Sequence, residues 1–156
     1  MIERIKCFWI SYKLSLLGQA DAIFPFEIFS LSRKIADLQD KENAYRIIRK
    51  YQHHHNFYVR RATLIAIRFM GEEATKQFLD ALLEFTSDTE DWVVYDAVWA
   101  LGEFQINDDR IRIALRNVAK EFVGMSPSEL EEFKPTESSD YAKKRAAESL
   151  LVYEKN

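Results

Sequence analysis

The side chains best suited to chemistry are Cys7, the run His53-His54-His55, and a dense set of carboxylates beyond residue 70. Catalysis asks such groups to converge. A nucleophile needs a base beside it, a phosphate loop needs glycines, and a zinc site needs His, Cys or acidic ligands at fixed spacing. None of these patterns occurs, so no enzyme is expected. Cys7 falls in an apolar helical stripe, which predicts an inert, buried thiol and not a low-pKa nucleophile. The three histidines have no Cys or acidic residue at ligand spacing, so a solvated or partly packed turn is expected, with no metal and no cofactor. The chemistry that remains is recognition. Trp92, Tyr95, Asp96, Trp99 and Glu103 share one stripe of a helix, the first four at offsets of three, four and seven. Trp, Tyr and Arg dominate the energetics of protein interfaces. Each large ring gains about 1.5–3 kcal/mol on leaving water, whether against a partner or inside the core. For Trp92 and Trp99 the sequence leaves both uses open.

Charge sharpens the picture. The chain has 156 residues and a net charge of −3. Residues 1–70 hold 12 Lys+Arg against 6 Asp+Glu, a balance of +6, whereas residues 71–156 hold 10 against 19, a balance of −9. A field of one sign attracts partners of the other; ordinary scatter of solvated charge is the alternative. The acidic residues gather in two connections: Asp88, Glu90 and Asp91 in one, and Glu129, Glu131, Glu132, Glu137 and Asp140 in a polar insertion over 124–140. In a regular array both would project from the same rim. Asp91 and Asp140 are also placed to cap helices.

The elements that position these groups are helices. Hydrophobic residues make up 47% of the chain and only four glycines and three prolines occur, which favours long helices over a turn-rich β fold. One cysteine excludes an intrachain disulfide and fits a reducing compartment. Lys13 interrupts the apolar start and no clean cleavage site follows, so neither a signal peptide nor a membrane span is expected, and a cytoplasmic location is. Helical spacing appears at Ile5, Phe8/Trp9, Tyr12 and Leu16, with Gly18 to end the helix. Pro25 opens a second helix, Asp40 caps a third, and a fourth runs from about Phe57 to a stop at Gly71. Further helices are expected over 73–86, 91–104, 108–123 and 140–153, with Asn107 or Asp108 capping the seventh. Paired in order, the eight make four hairpins in one domain, 1–156.

Three segments carry a shared pattern: Tyr58 to Ala66, Trp92 to Gly102 and Tyr141 to Leu150, offset by 34 and 49 residues. Each sets an aromatic ahead of small residues, the mark of stacked helix pairs that approach closely. Asp91, Val93, Ala97, Ala100, Leu101 and Gly102 resemble the second helix of HEAT-like repeats, in particular the phycobilisome-lyase type. Val59, Arg60 and Ala66 match in part, as do Asp140, Ala142, Lys143, Ala146, Ala147 and Leu150 without the glycine. The resemblance covers 41–153, while 1–40 is a divergent helical pair matched only by helix count. It implies an all-α, right-handed α-solenoid of about four hairpins whose second helices line a concave face. On that face Arg61, Ile65 and Arg68 would join Trp92, Tyr95, Asp96, Trp99 and Glu103, with Lys144, Arg145 and Glu148 in the same row. The lyase activity does not follow from the repeat alone.

An aromatic row, an acidic rim and no catalytic groups predict a stoichiometric protein-binding module for a basic partner, as a monomer or in a 1:1 heterocomplex. In size and charge the chain is similar to bacterial immunity proteins that neutralise toxins, many of which are cationic nucleases. The alternatives are an adaptor or scaffold, and a HEAT-like nucleic-acid binder using Arg33, Lys34, Arg46, Arg49, Lys50, Arg60 and Arg61. The negative C-terminal half opposes a phosphate backbone.

Overall fold

A computed structural model describes residues 2–20 and 25–154. Among them every regular element is helical. In chain order these are α1 (Ile2–Leu17), α2 (Pro25–Ala36), α3 (Lys41–Tyr51), α4 (Phe57–Met70), α5 (Glu72–Gln77), α6 (Leu79–Phe85), α7 (Asp91–Glu103), α8 (Asp109–Ala119), α9 (Pro127–Glu132) and α10 (Ser138–Tyr153). A 3-10 turn, Lys120–Phe122, extends α8. The chain divides into two compact units, Met1–Gly71 and Glu72–Asn156. That boundary falls where the charge balance changes sign.

Local chemistry sets most of the ends. Pro25 begins α2, where a missing N–H costs nothing. The Asp40 carboxylate accepts from the Glu42 N–H, Asn56 caps α4 through the Tyr58 N–H, and Asp108 caps α8 through the Arg110 N–H. Gly71 ends α4 at φ 93°, a left-handed conformation that favours glycine. The helix expected over 73–86 is interrupted at Phe78, where φ is −109°. Hydrogen bonds still run from the Phe78 N–H to Ala74 O and from the Leu82 N–H to Phe78 O.

In the first unit α2 lies chiefly against α4, with α1 on α2 and α3. Ile28, Leu31 and Ile35 of α2 and Val59, Leu64 and Ile67 of α4 supply buried apolar bulk. Ser32, Ala62, Thr63 and Ala66 are also buried and keep these helices slim. The two hydroxyls are satisfied within their own helices, Ser32 donating to Ile28 O and Thr63 to Arg60 O, each at 2.7 Å. α1 contributes Ile10, Leu14 and Leu17 to the core. The stripe named from its spacing, Ile5, Phe8/Trp9, Tyr12 and Leu16, faces solvent instead. α1 carries apolar residues on two sides, and among the described residues only one side is buried.

In the second unit α10 is the hub, packed on α7 and α8, while α6 lies against α7. Val93, Ala97, Ala100 and Leu101 are buried as their periodicity requires, and Phe104 is half-buried. Ala142, Ala146, Ala147 and Ser149 answer them from α10. A Cβ built on Gly102 would lie 2.1 Å from Ser149 Oγ and 2.6 Å from its Cβ. The glycine that ends the repeat pattern is therefore a close-approach residue. Tyr153 reaches across to donate its hydroxyl to Leu101 O at 3.1 Å. The principal packing pairs are α2 with α4 in the first unit and α7 with α10 in the second.

The insertion over 124–140 holds a helix that its prolines and polar residues concealed. Ser126 and Glu129 form a reciprocal capping box at the start of α9, with Pro127 at the first helical position. Leu130 is buried and anchors the segment, and Phe133 meets Phe122 edge-on at 4.8 Å.

Candidate functional site

The most distinctive surface of the second unit is a row of rings held by α7 and α10. Trp92 and Tyr95 meet edge-to-face with centroids 5.7 Å apart, and Tyr95 and Trp99 do so at 5.4 Å. Tyr141, at the first turns of α10, extends the row with its ring 5.3 Å from Trp92. At the far end the Arg145 guanidinium lies over Trp99 at 4.8 Å, a cation–π contact. The helical repeat produces this order, because residues 92, 95 and 99 fall on one face and each ring can lean on the next. Trp92 is 36% exposed and Tyr141 is exposed, while Tyr95 and Trp99 are half-buried. The rings thus share a partly wet surface and brace one another. Tyr141 opens the third repeated segment as Trp92 opens the second, and that correspondence was the available signal for its membership.

Two residues assigned to this face lie elsewhere. Asp96 is 4% exposed and Ile65 2%, so neither is open to a partner. Helix α7 has a broad buried arc, and Asp96, one position from Ala97, falls inside it. Ile65 sits amid the unbroken buried run Ala62 to Ile67 of α4. Arg61 and Arg68 are half-buried in the first unit, where the Arg68 guanidinium lies 5.2 Å from the Phe69 ring. Glu103 is exposed at the end of α7. Lys144 donates to Phe133 O at 3.0 Å and thereby helps hold the insertion, and Glu148 pairs with Arg145 at 3.6 Å.

The carboxylates divide between two depressions. Asp88, which accepts from the Glu90 N–H at 2.9 Å, shares a depression with Asp91, Ser139 and the cations Arg110, Lys120 and Lys143. Asp91 accepts a short hydrogen bond from the Ser138 hydroxyl, tying the start of α7 to that of α10. Glu131 instead lines a separate hollow with Lys144, Glu148 and Leu151 along the body of α10.

Three of the insertion's acidic groups are occupied in helix starts. Glu129 accepts from the Ser126 N–H at 2.7 Å, a contact that holds its carboxyl below the usual range. Glu137 and Asp140 cap α10 reciprocally, and Asp140, accepting from the Thr136 and Glu137 N–H groups, is likewise held low. Glu131 and Glu132 remain exposed, as does Glu90.

Cys7 is half-buried and not buried as its stripe suggested. Burial first, then the charges of Glu3 and Asp40, pushes its thiol above the ordinary range, the reverse of nucleophile activation. His54 has a packing role. Its ring abuts Gly18, where an added Cβ would come within 2.6 Å of Cε1, and its Nδ1 accepts from the Asn56 N–H. Asn56 in turn donates to Gly18 O and Ala20 O at 3.3 Å. Burial, with His55 and Arg60 close by, keeps the His54 imidazole below its usual range and hence neutral. No group of three or more metal-ligating side chains occurs among the described residues, and no described helix is long and apolar enough to cross a membrane. No family model, curated protein or solved structure matches the chain.

Proposed function

We propose that this protein is a non-catalytic binding module that docks a basic protein partner on the α7–α10 face of its second unit. The observation carrying this reading is the ring row Tyr141–Trp92–Tyr95–Trp99, closed by Arg145. Rings stacked edge-to-face present large, rigid area at little conformational cost, the composition of interface anchors. The surrounding unit carries a balance of −9, which accelerates encounter with a cationic protein. A stoichiometric inhibitor of a toxin domain, such as a cationic nuclease, fits this division: carboxylates compete for the surface that binds nucleic acid while aromatic anchors slow release. The small-residue packing of α7 on α10 and of α2 on α4 supports HEAT-like pairing within each unit, the scaffold on which a right-handed solenoid would be built.

The test is affinity capture with the intact chain as bait, followed by calorimetry on the protein retained. Trp92→Ala should weaken that complex by roughly 2 kcal/mol or more and lower the melting temperature little, because Trp92 is the most exposed of the α7 rings. Loss of thermal stability with undiminished affinity would assign the row to folding alone.

A further inference from the structure

The unmatched side of α1 supplies a second surface, independent of the ring row. Ile2, Ile5, Phe8, Tyr12 and Leu16 are all exposed, Phe8 at 75%. At 100° per residue they occupy an arc of roughly 120°, opposite the buried Ile10, Leu14 and Leu17. Trp9 lies within the same arc. On the adjoining helix α2, Phe26 is 79% exposed and shares a depression with Trp9 and Leu16. A soluble helix normally places one apolar stripe against its core and polar residues opposite; α1 departs from that rule over its whole length.

The cations are set around this arc. Arg4 borders one side of it, and Lys6 and Lys13 border the other. Lys13 Nζ and Lys34 Nζ of α2 both stand over the Trp9 ring, 5.4 and 4.4 Å from its centroid. Among the described residues no carboxylate forms an ion pair with either lysine, although Glu27 lines the same depression. Glu3 is engaged with the Asp40 N–H at 3.4 Å.

We infer that α1 and the start of α2 form an interfacial docking surface for an anionic lipid bilayer. α1 would lie in the plane of the head groups, with Phe8 and Phe26 entering the acyl boundary and Lys13 and Lys34 straddling a lipid phosphate above Trp9. The elements of such a surface are an apolar arc with Trp and Phe, flanking Lys and Arg, and no spanning length. At roughly 24 Å, α1 is too short to cross the hydrocarbon layer. Indole and phenol rings favour the head-group region, and each basic residue near an anionic leaflet adds attraction. A second copy is a poorer occupant, because a two-fold contact would set these cations against themselves. Phe8, three-quarters exposed and outside the depression, stands up as a ridge, which a fluid surface accepts and a protein must match with a groove.

Co-sedimentation of the intact chain with vesicles tests the assignment. Binding to phosphatidylcholine vesicles containing about one-third phosphatidylglycerol should exceed binding to phosphatidylcholine alone by tenfold or more, and should fall with added salt. Phe8→Asp with Phe26→Asp, and separately Lys13→Glu with Lys34→Glu, should each reduce it about tenfold at unchanged helix content. Equal binding to both vesicle types, or none by the native chain, overturns the proposal whatever the variants do. Self-association that Phe8→Asp abolishes, without vesicle binding, reassigns the face to a second copy. Capture of an acidic protein through it, again without vesicle binding, reassigns it to a protein. None of these results bears on the ring row of the second unit.

Discussion

Gly102→Ala tests the close approach of α7 and α10, the contact on which the ring row depends. The new methyl carbon would sit 2.1 Å from Ser149 Oγ and 2.6 Å from Ser149 Cβ. Rotation can move the hydroxyl but not the Cβ, so relief to normal carbon contact requires the helices to part by about 1 Å. Overpacking of this kind costs about 1–3 kcal/mol. Alanine's better helix propensity returns about 0.8–1 kcal/mol, leaving a net loss of between about 0 and 2 kcal/mol. Ser149→Gly removes both clashing atoms, so adding it to Gly102→Ala should recover part of that loss despite the glycine's own helix penalty. Ser149→Ala alone should be neutral or mildly stabilising, since its buried hydroxyl has no hydrogen-bond partner among the described residues. Urea unfolding in a Trp9→Phe background makes Trp92 and Trp99 fluorescence report on the second unit alone. A Gly102→Ala protein more stable than its parent by the full propensity gain of about 0.8–1 kcal/mol would refute the inferred helix separation.

Three further outcomes follow from the geometry. Because the folded His54 pKa is lowered, the unfolded chain binds its proton first as pH falls. Stability should therefore be full above about pH 6.5 and decline below it toward the lower folded value; His54→Asn should flatten that slope in denaturant titrations, and a slope left unchanged would exclude His54 as its source. Leu130→Ala should cost about 2–5 kcal/mol of anchoring, seen as faster proteolysis within 124–137, whereas an unaltered cleavage rate would mean that the Phe133–Phe122 and Lys144–Phe133 contacts suffice to hold the segment. Reversing Glu131 and Glu132 to Lys should slow association with a captured basic partner and flatten its salt dependence. Equal loss at high salt would count against electrostatic steering.

The helix ends were legible because the chemistry that makes them is local. Pro25, Asp40, Gly71 and Asp108 act within a few residues of themselves, and no distant contact is needed to read them. The small residues of α7 and α10 were legible for a related reason: Ala97, Ala100, Gly102, Ala146 and Ala147 state that something approaches closely. They do not state what, and the Gly102–Ser149 contact emerges only when α10 is in place. Asp140 was legible as a capping residue, but the uses of Glu129 and Glu137 were hidden because a carboxylate in an acidic run looks the same whether it caps a helix or meets a partner.

For α1, sequence determined that a helix forms and that apolar residues lie on two of its sides. Periodicity carries no information about which side finds a neighbour. Tertiary packing chose Ile10, Leu14 and Leu17 for the core and left Ile5, Phe8 and Tyr12 outside, because hydrophobic burial depends on what the rest of the fold can bring into contact. Asp96 and Ile65 follow the same rule. Their place on a helix face was fixed by 3.6 residues per turn, but whether that face is wet or dry was settled by the helices packed against it.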